Sequence, residues 1–323
     1  MYLQLIRSLL TFSSLYKHRG NPMVISQSVR KFWVLALFAG LIVLPPVHSF
    51  ADYSPVERVS VDAGDGNSDG ASNLSRISAS DDGRYVAFES AATDLVAGDD
   101  NGVVDVFLRD RTSGTTVRVS LSDSDQESQF ASMDPDVSSD GNLVVFESSA
   151  DDLISGDTND VSDIFVRNIS AGTTTRVSVK SGGFQVNGAS RNPVISADGR
   201  YVAFESDADD LVAGDLNQST DVFVYDLQTS TITRVSVGPG GVEADGNSRN
   251  PAISDDGDII AFESDATDLV SGDENGETDV FFHDQSASTT TRASVRSGTT
   301  SDADGSSSNP AVSGDGAVIG FES

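Results

Sequence analysis

The chain has 323 residues, with 20 Lys plus Arg against 50 Asp plus Glu, and therefore a formal charge of -30. A surface this negative repels phosphate backbones, so no nucleic-acid partner is expected. The absence of cysteine excludes disulfides, thiolate metal sites and a cysteine nucleophile. A hydrophobic fraction of 37% is enough for one large all-β domain or two ordinary domains.

The first 51 residues differ in composition from the rest, because they contain five basic residues and no Asp or Glu. Arg30 precedes an apolar run at 32–44, and Ser49 and Ala51 are small residues three and one before a cleavage point. This is the pattern of an export signal. The apolar run is too short to cross about 30 Å of hydrocarbon at about 1.5 Å per residue. We therefore predict an export signal at 1–51 and no stable membrane span after its cleavage.

Met23 stands at a suitable distance before Arg30 to be the true start of this signal, and on that interpretation residues 1–22 are an upstream artefact. A membrane anchor is the weaker alternative for the apolar run. Export predicts a periplasmic, cell-surface or extracellular protein, with residues 52–323 as its mature part.

A period of 58 residues organises the mature part. The tripeptide Phe-Glu-Ser begins at Phe88, Phe146, Phe204, Phe262 and Phe321. Arg-x-Ser begins at Arg58, Arg118, Arg176, Arg234 and Arg292, and the Asp that opens Asp-Val/Ile-Phe recurs at Asp105, Asp163, Asp221 and Asp279. Three markers in one register identify a repeat array.

Each repeat contains four short segments with the alternation and turn residues of β-strands. In one unit these are 193–196, 201–206, 221–226 and 231–237. Asp198-Gly199 between the first two predicts a hairpin with a tight type I′ turn. Period-2 alternation places Val202 and Phe204 on one face of the second strand and the residues between them on the other, so Phe204 is expected in the core with neighbours pointing outward.

Four strands per repeat predict an all-β fold, a β-propeller built from 58-residue four-stranded blades. The predicted blades cover about 74–121, 133–179, 191–237 and 249–295, with a partial fifth at 308–323. A β-solenoid is the rival, although its coils are usually about 20 to 30 residues long. The units fit either a five-bladed ring closed by both ends of the chain or a truncated part of a longer ring.

The repeat carries a recognisable motif: Asn192-Pro193-x-Ile195-Ser196-x-Asp198-Gly199-Arg200-Tyr201-Val202-Ala203-Phe204, then Asp221-Val222-Phe223-Val224-Tyr225-Asp226, then Thr233-Arg234-Val235-Ser236. It resembles the PD40, or WD40-like, repeat of TolB-type propellers and of many exported bacterial repeat proteins. The resemblance implies a propeller fold over roughly residues 56–323. The loop before the third strand is longer than in that family and no counterpart of the family's N-terminal α/β domain is seen, so a role in a cell-envelope complex is not implied.

The sequence Gly-Asp-x-Asn-x-x-x-Asp occurs four times in the loop before the third strand. Its oxygen-bearing residues are Asp99, Asn101 and Asp105; Asp157, Asn159 and Asp163; Asp215, Asn217 and Asp221; and Asp273, Asn275 and Asp279. Oxygen ligands at positions one, three and seven of a turn suit Ca²⁺, with carbonyls and water completing the shell. Ca²⁺ is the one cofactor that the sequence indicates. The alternative is that Asp and Asn form Asx-turns and satisfy backbone donors of a long loop.

The Glu of each Phe-Glu-Ser is expected to be structural, because catalysis needs one asymmetric constellation and these residues recur in every unit. They are Glu89, Glu147, Glu205, Glu263 and Glu322. We expect them to face the Arg of Arg-x-Ser across each blade. The residue that breaks the repeat most visibly is His283, which stands where other units have Arg109, Arg167 and Tyr225. A tolerated surface exchange is the expected explanation, and no catalytic residue is assigned.

These observations favour an exported, non-enzymatic β-propeller scaffold that binds another protein or a cell-surface ligand. Two alternatives stay open: the propeller domain of a secreted or periplasmic hydrolase or lyase, and a structural or adhesive calcium-binding array.

Cleavage of the export signal is directly measurable. We expect the exported protein to begin at Asp52, because Ser49 and Ala51 match the small-residue requirement of signal cleavage. N-terminal sequencing of the exported protein checks this. A mature protein that still begins at Met1 or Met23 contradicts it.

Overall fold

The computed structural model describes residues 57–62, 64, 66–296, 298 and 303–323. The predicted export signal at 1–51 lies outside these residues. Within them, no helix is long and apolar enough to cross a membrane.

The described residues form twenty β-strands and no helix. The strands are β1 (Ser72–Ala79), β2 (Tyr85–Ser90), β3 (Asp105–Asp110), β4 (Thr115–Arg118), β5 (Ser132–Val137), β6 (Leu143–Ser148), β7 (Asp163–Asn168), β8 (Thr173–Arg176), β9 (Ser190–Ile195), β10 (Tyr201–Ser206), β11 (Asp221–Asp226), β12 (Thr231–Arg234), β13 (Val237–Gly238), β14 (Val242–Glu243), β15 (Ser248–Ile253), β16 (Ile259–Ser264), β17 (Asp279–Asp284), β18 (Thr289–Arg292), β19 (Ser308–Val312) and β20 (Ile319–Glu322).

Sixteen of these strands form four antiparallel meanders of four strands each, β1–β4, β5–β8, β9–β12 and β15–β18. A fifth sheet contains only β19 and β20, and β13 and β14 form a small hairpin between two meanders. The meanders have the form of propeller blades, so the predicted fold class is confirmed. Among the described residues the sheets do not close into a ring, and the closure considered from the sequence is not seen there.

The first two strands of each blade are joined by the predicted hairpin, but its turn is not of type I′. In the β9–β10 hairpin only Gly199 has a positive φ, at 74°, whereas a type I′ turn needs positive φ at both central residues. The Gly199 N–H donates to the Ser196 carbonyl, 2.9 Å, and the Tyr201 N–H donates to the Ser196 hydroxyl, 2.9 Å. The loop between β9 and β10 therefore spans 196–200, longer than the two-residue Asp-Gly turn, and the Ser196 hydroxyl satisfies a backbone donor at its end.

Each of the last four first strands contains a bulge at the Asn-Pro or Asp-Pro step. Asn192 has a φ of 52°, and the pairing of β9 with β10 shifts register between Arg191 and Val194. Asn and Asp tolerate this left-handed conformation better than other non-glycine residues. Proline follows because a bulge position has no ladder hydrogen bond to donate. Asp134, Asn250 and Asn309 have the same conformation.

The core lies between neighbouring sheets. Val202 and Phe204 pack with residues of the preceding blade, such as Ile164, whereas Ala203 packs with residues of the following blade, such as Phe262. The prediction that Val202 and Phe204 lie on one face of the strand and Ala203 on the other is confirmed. The expectation that the intervening residues point outward is wrong, because Ala203 is fully buried against the next sheet.

A pair of phenylalanines ties the second strand of each blade to the third. The rings of Phe204 and Phe223 are directly opposite in the ladder, stacked with centroids 6.1 Å apart. The other three blades repeat this contact at 5.8 to 6.1 Å: Phe88 with Phe107, Phe146 with Phe165, and Phe262 with Phe281. Stacked aromatic pairs add to the free energy gained from burial alone.

The outer strands of two blades are held by the connection that precedes them. The Thr290 hydroxyl on β18 donates to the Val237 carbonyl, 2.6 Å, and the Thr174 hydroxyl on β8 donates to the Leu121 carbonyl. Covering an edge in this way limits its pairing with other chains.

Replacing a stacked phenylalanine should lower stability substantially. Phe204 is fully buried, so Phe204→Ala is expected to reduce the free energy of unfolding by about 3 to 5 kcal/mol. Denaturant titration measures this. Phe321→Ala is the matched control, because Phe321 occupies the same repeat position but is 37% exposed, and a smaller loss is expected. A loss below about 1 kcal/mol for Phe204→Ala contradicts the register.

Candidate functional site

The first strands of all five sheets surround a polar cavity of about 380 Å³, called here the axial cavity. Its lining residues are Ser75, Arg76, Asp134, Asn192, Asn250, Pro251, Asn309 and Pro310. They lie at or beside equivalent positions of the repeat. These positions come together because each first strand lies next to the first strand of the following sheet. The first strand of each of these sheets therefore contributes at least one polar residue to the axial cavity.

The Glu of Phe-Glu-Ser holds each bulge in place from the preceding blade. The Asn250 N–H donates to Glu205 Oε2, 2.8 Å, and the Asn192 N–H donates to Glu147 Oε2, 3.3 Å. Glu89 and Glu263 accept the corresponding bonds from Asp134 and Asn309. Burial raises the pKa of Glu147, and the nearby Asp134 raises it further. The expected structural role is thus visible, but the expected partner is wrong: the described glutamates of the four complete blades bind the next sheet instead of the arginine of their own blade.

Arg76 interrupts the repeat inside the axial cavity. It stands where three of the later blades have the bulge Asn, and its Nη1 donates to the Pro193 carbonyl of the third blade, 3.0 Å. Burial raises the pKa of Asp136, while the positive charge of Arg76 opposes this rise. Asp136 also accepts a bond from the Ile195 N–H, 2.8 Å. We did not identify Arg76 from the sequence, although its place in the otherwise regular Asn-Pro position was a detectable signal.

The predicted calcium residues form a cluster in each blade, and an arginine lies inside it. In the third blade, Arg234 Nη1 lies 3.0 Å from Asp215 Oδ1, 3.0 Å from Asp221 Oδ2 and 3.1 Å from Glu243 Oε1. Asn217 Nδ2 donates to Asp221 Oδ2, 3.2 Å, while its Oδ1 accepts the Ser219 N–H, 2.9 Å. The structure therefore brings the predicted triplet together, and the asparagine forms the Asx-turn of the alternative interpretation.

The other three clusters repeat the arrangement. Arg118 Nη1 lies 3.4 Å from Asp99 and 3.5 Å from Asp105, Arg176 Nη1 lies 2.9 Å from Asp157 and 3.1 Å from Asp163, and Arg292 Nη1 lies 3.3 Å from Asp273 and 3.6 Å from Asp279. Asn101, Asn159 and Asn275 each donate to the last Asp of their triplet. The arginine of Arg-x-Ser thus binds the loop carboxylates. Calcium binding by these residues stays a prediction.

A third carboxylate joins two of the clusters from the connection to the next blade. Glu127 Oε1 lies 2.5 Å from Arg118 Nη1, and oxygens of Asp99, Asp105 and Glu127 lie within 4.8 Å of one another. Glu243 has the same place beside Arg234. Neither glutamate was identified from the sequence, because the connections differ between units.

In two clusters, burial raises the pKa of the first Asp well above that of an exposed Asp. Removal from water is the main cause, and it raises the pKa of Asp99 to about 6 despite the opposing charge of Arg118. Burial and the neighbouring Asp221 raise the pKa of Asp215 to about 7. These groups therefore change charge near neutral pH.

His283 is buried, with 6% of its surface exposed, so the expected surface exchange is wrong. Its Nδ1 lies 3.1 Å from the Thr290 hydroxyl, and burial lowers its pKa. Arg167 has the equivalent contact with Thr174, 3.1 Å. The position therefore supports the threonine of the neighbouring outer strand.

No protein-family model matches the chain, and no curated protein sequence matches it. Similar solved structures include TolB from Acinetobacter baumannii, 17% identical with a TM-score of 0.43, covering 77% of this chain and 48% of that one. A putative TolB from Agrobacterium tumefaciens is 19% identical with a TM-score of 0.42, covering 67% and 63%. A prolyl endopeptidase structure is 13% identical with a TM-score of 0.44, covering 75% and 31%.

Propeller proteins of the TolB type are among the structures similar to this chain, as the repeat motif predicted. The chain spans about half the length of the first TolB and less than two thirds of the second. These likenesses concern the fold.

The raised pKa of Asp215 predicts an unusual pH dependence of stability. Folding raises this pKa from 3.8 to about 7, so the folded chain keeps a proton that the unfolded chain releases. Through Asp215, the free energy of unfolding therefore falls as pH rises from about 4 to about 7. Asp215→Asn should flatten this dependence.

Urea unfolding across this pH range, with chelator present, measures the effect. Asp151→Asn is the control, because it changes an exposed carboxyl in the same way. An unchanged pH profile in Asp215→Asn contradicts the assignment.

Proposed function

We propose that the chain is an exported, non-enzymatic β-propeller scaffold that binds another protein or a cell-surface ligand at the axial cavity. The observation that carries the proposal is that the first strands of five sheets each contribute a polar residue to a single cavity. Propellers commonly present residues around a central channel in this way. The composition of the first 51 residues supports export.

The chemistry of the cavity favours recognition of polar, uncharged groups. Three of its lining residues are Asn192, Asn250 and Asn309. Asn250 Nδ2 donates to Glu263 Oε1, 2.8 Å, and Asn192 Nδ2 donates to Asn250 Oδ1, 3.4 Å, while the further donor and acceptor capacity of these amides can serve a ligand. The Arg76 charge is directed to a backbone carbonyl and lies near Asp136. The carboxylate of the lining, Asp134, accepts a hydrogen bond from the Ser75 hydroxyl, 2.6 Å. Peptide backbones and sugar hydroxyls are groups that such amides bind.

The environment of the carboxylates supports a scaffold over an enzyme. The four glutamates of the complete blades accept backbone hydrogen bonds in the same geometry, and the loop aspartates are paired with arginine. General acid–base catalysis needs two groups whose environments differ. The propeller domain of a hydrolase or lyase remains the alternative, and turnover of a bound ligand would favour it.

The binding proposal is tested with peptide and glycan arrays, followed by Asn250→Asp. This change replaces a cavity amide by a carboxylate and removes the hydrogen bond that Asn250 Nδ2 donates to Glu263 Oε1, 2.8 Å, so the thermal midpoint of the variant is measured alongside. Asp134 shows that the bulge accepts Asp. We expect the affinity for array-selected ligands to fall about tenfold or more, as when a buried hydrogen bond is lost.

The matched control is Asn168→Asp, because the equivalent residues Asp110, Asp226 and Asp284 already carry the carboxylate in other blades. It should leave binding unchanged. An equal loss in both variants, or no effect of Asn250→Asp, contradicts binding at the axial cavity.

We also propose that Ca²⁺ binds weakly at the loop clusters and stabilises the blades. The support is the proximity of the Asp99, Asp105 and Glu127 oxygens, and the two buried oxygens of Asp215, which have no hydrogen-bond partner among the described residues. Of these two oxygens, Oδ1 lies 3.0 Å from Arg234 Nη1. The guanidinium already supplies one positive charge to each cluster, so calcium must share the carboxylates with it. This argues for an affinity no tighter than the about 10⁻⁴ to 10⁻³ M of extracellular modules.

Thermal unfolding with calcium and with chelator, at matched ionic strength, tests calcium binding. Calcium at about ten times Kd should stabilise by about 1.4 kcal/mol per occupied site. Arg234→Gln removes the competing charge and should increase the calcium effect. Changing Asp99, Asp157, Asp215 and Asp273 together to Asn should abolish it. An identical midpoint of the parent under both conditions rules out calcium and leaves the Asx-turn interpretation.

A further inference from the structure

A second cavity, of about 570 Å³, lies between the second and third blades and is called here the interblade cavity. Residues of the loop 154–156, of β8, of the connection 179–185 and Tyr225 on β11 line it. None of them lines the axial cavity. A volume of this size is within the range of small-molecule sites, about 300 to 1,000 Å³.

Tyr225 breaks the repeat at the interblade cavity. In the other complete blades, the residue at this position has a threonine opposite it in the ladder and lies within hydrogen-bond distance of its hydroxyl, as Arg167 Nη1 does at 3.1 Å from Thr174. The residue opposite Tyr225 is Ile232, which has no hydroxyl.

The Tyr225 hydroxyl therefore makes no hydrogen bond to any residue that the structure describes. The side chain is nevertheless buried, since only 8% of the residue is exposed. Buried polar groups in native proteins are nearly always hydrogen-bonded. A ligand in the interblade cavity supplies the missing partner.

Phe184 adds an exposed aromatic ring to the same cavity. It is 69% exposed, whereas the equivalent residues of the neighbouring connections are Gln126 and Val242. Gly182 and Gly183, with φ of 92° and 78°, form the left-handed turn that precedes it. The ring is largely uncovered by the chain, so its face is free to pack against a ligand.

Free hydroxyl groups lie beside these aromatic side chains. Ser155 and Thr175 are exposed members of the lining, and within the described part of the chain their hydroxyls make no hydrogen bond. A hydroxyl can both donate and accept. Ile154 and Val179 complete the apolar part of the lining. The cavity thus joins an apolar surface to several uncharged hydrogen-bonding groups.

The charge of the lining favours a neutral ligand. Arg176 contributes a guanidinium, but its Nη1 lies 2.9 Å from Asp157 Oδ1 and 3.1 Å from Asp163 Oδ2. Two carboxylates therefore already neutralise it. The chain as a whole has a formal charge of -30 and repels anions.

We propose that the interblade cavity binds a neutral sugar ring. A pyranose has a face of C–H groups, which packs on Phe184, and hydroxyls around its edge, which exchange hydrogen bonds with Tyr225, Ser155 and Thr175. Because Phe184 is largely exposed, the ring can belong to a longer glycan that continues over the surface. The site is independent of ligand binding at the axial cavity.

The probes are the methyl glycosides of glucose, galactose, mannose and N-acetylglucosamine, each titrated into the full chain and followed by saturation-transfer NMR. Methyl glucuronide is the anionic comparison and phenol the aromatic one. We expect at least one neutral glycoside to bind more tightly than both. Phe184→Ala should weaken its binding about tenfold, and Tyr225→Phe about three- to tenfold, as for the loss of one stacking contact and one hydrogen bond.

The matched controls are Val242→Ala, at the equivalent exposed position of the next connection, and Tyr201→Phe, on β10 of the third blade and outside the lining. Both should leave binding unchanged. Thermal midpoints are measured for every variant. We expect no decrease for Tyr225→Phe or Phe184→Ala, because the first removes a hydroxyl without a partner and the second an exposed ring.

Three results overturn the proposal. The first is that none of the four neutral glycosides binds. The second is binding that Asn250→Asp weakens and Phe184→Ala does not, which assigns the sugar to the axial cavity. The third is that phenol binds more tightly than every glycoside and depends on Phe184, which makes an aromatic molecule the ligand.

Discussion

Each complete blade is apolar on both faces, and this constraint governs the rest of the structure. A sheet with two apolar faces is not stable by itself in water, so it must be covered on both sides. Val202 and Ala203 are adjacent in one strand, yet each is buried against a different neighbouring sheet. The array is therefore stabilised mainly at the contacts between blades, as in other repeat proteins.

The polar contacts between blades follow from that stacking. Once two sheets pack face to face, the Glu of Phe-Glu-Ser reaches the bulge of the next first strand, as Glu205 reaches the Asn250 N–H. The buried carboxylate is satisfied by a backbone donor, which avoids the cost of an unpaired buried charge. The same bond holds the Asn side chain at the axial cavity. The candidate binding site is thus assembled by the interactions that stabilise the array.

Part of the large negative charge is neutralised locally, by arginines that lie beside buried carboxylates. The chain has 20 Lys plus Arg, and four of these arginines lie among the loop carboxylates with side chains at most 8% exposed. A buried pair of this kind needs several partners to offset desolvation, and Arg234 has Asp215, Asp221 and Glu243. The remaining acidic residues lie largely at the surface, where water and salt screen their repulsion.

The sequence alone determined the repeat, the four strands of each blade and the fold class, because turns and strand alternation are local properties of the chain. It also determined that each Asp-x-Asn-x-x-x-Asp triplet meets, since its members lie in one loop. The tertiary structure decided which groups pair across the chain: Glu205 binds a residue 45 positions away, and Arg76 binds one 117 positions away. Such partners depend on which sheets pack together and at what angle, and no local pattern encodes that geometry. The same holds for the burial of Ala203, which period-2 alternation placed on a face without showing that a second sheet covers it.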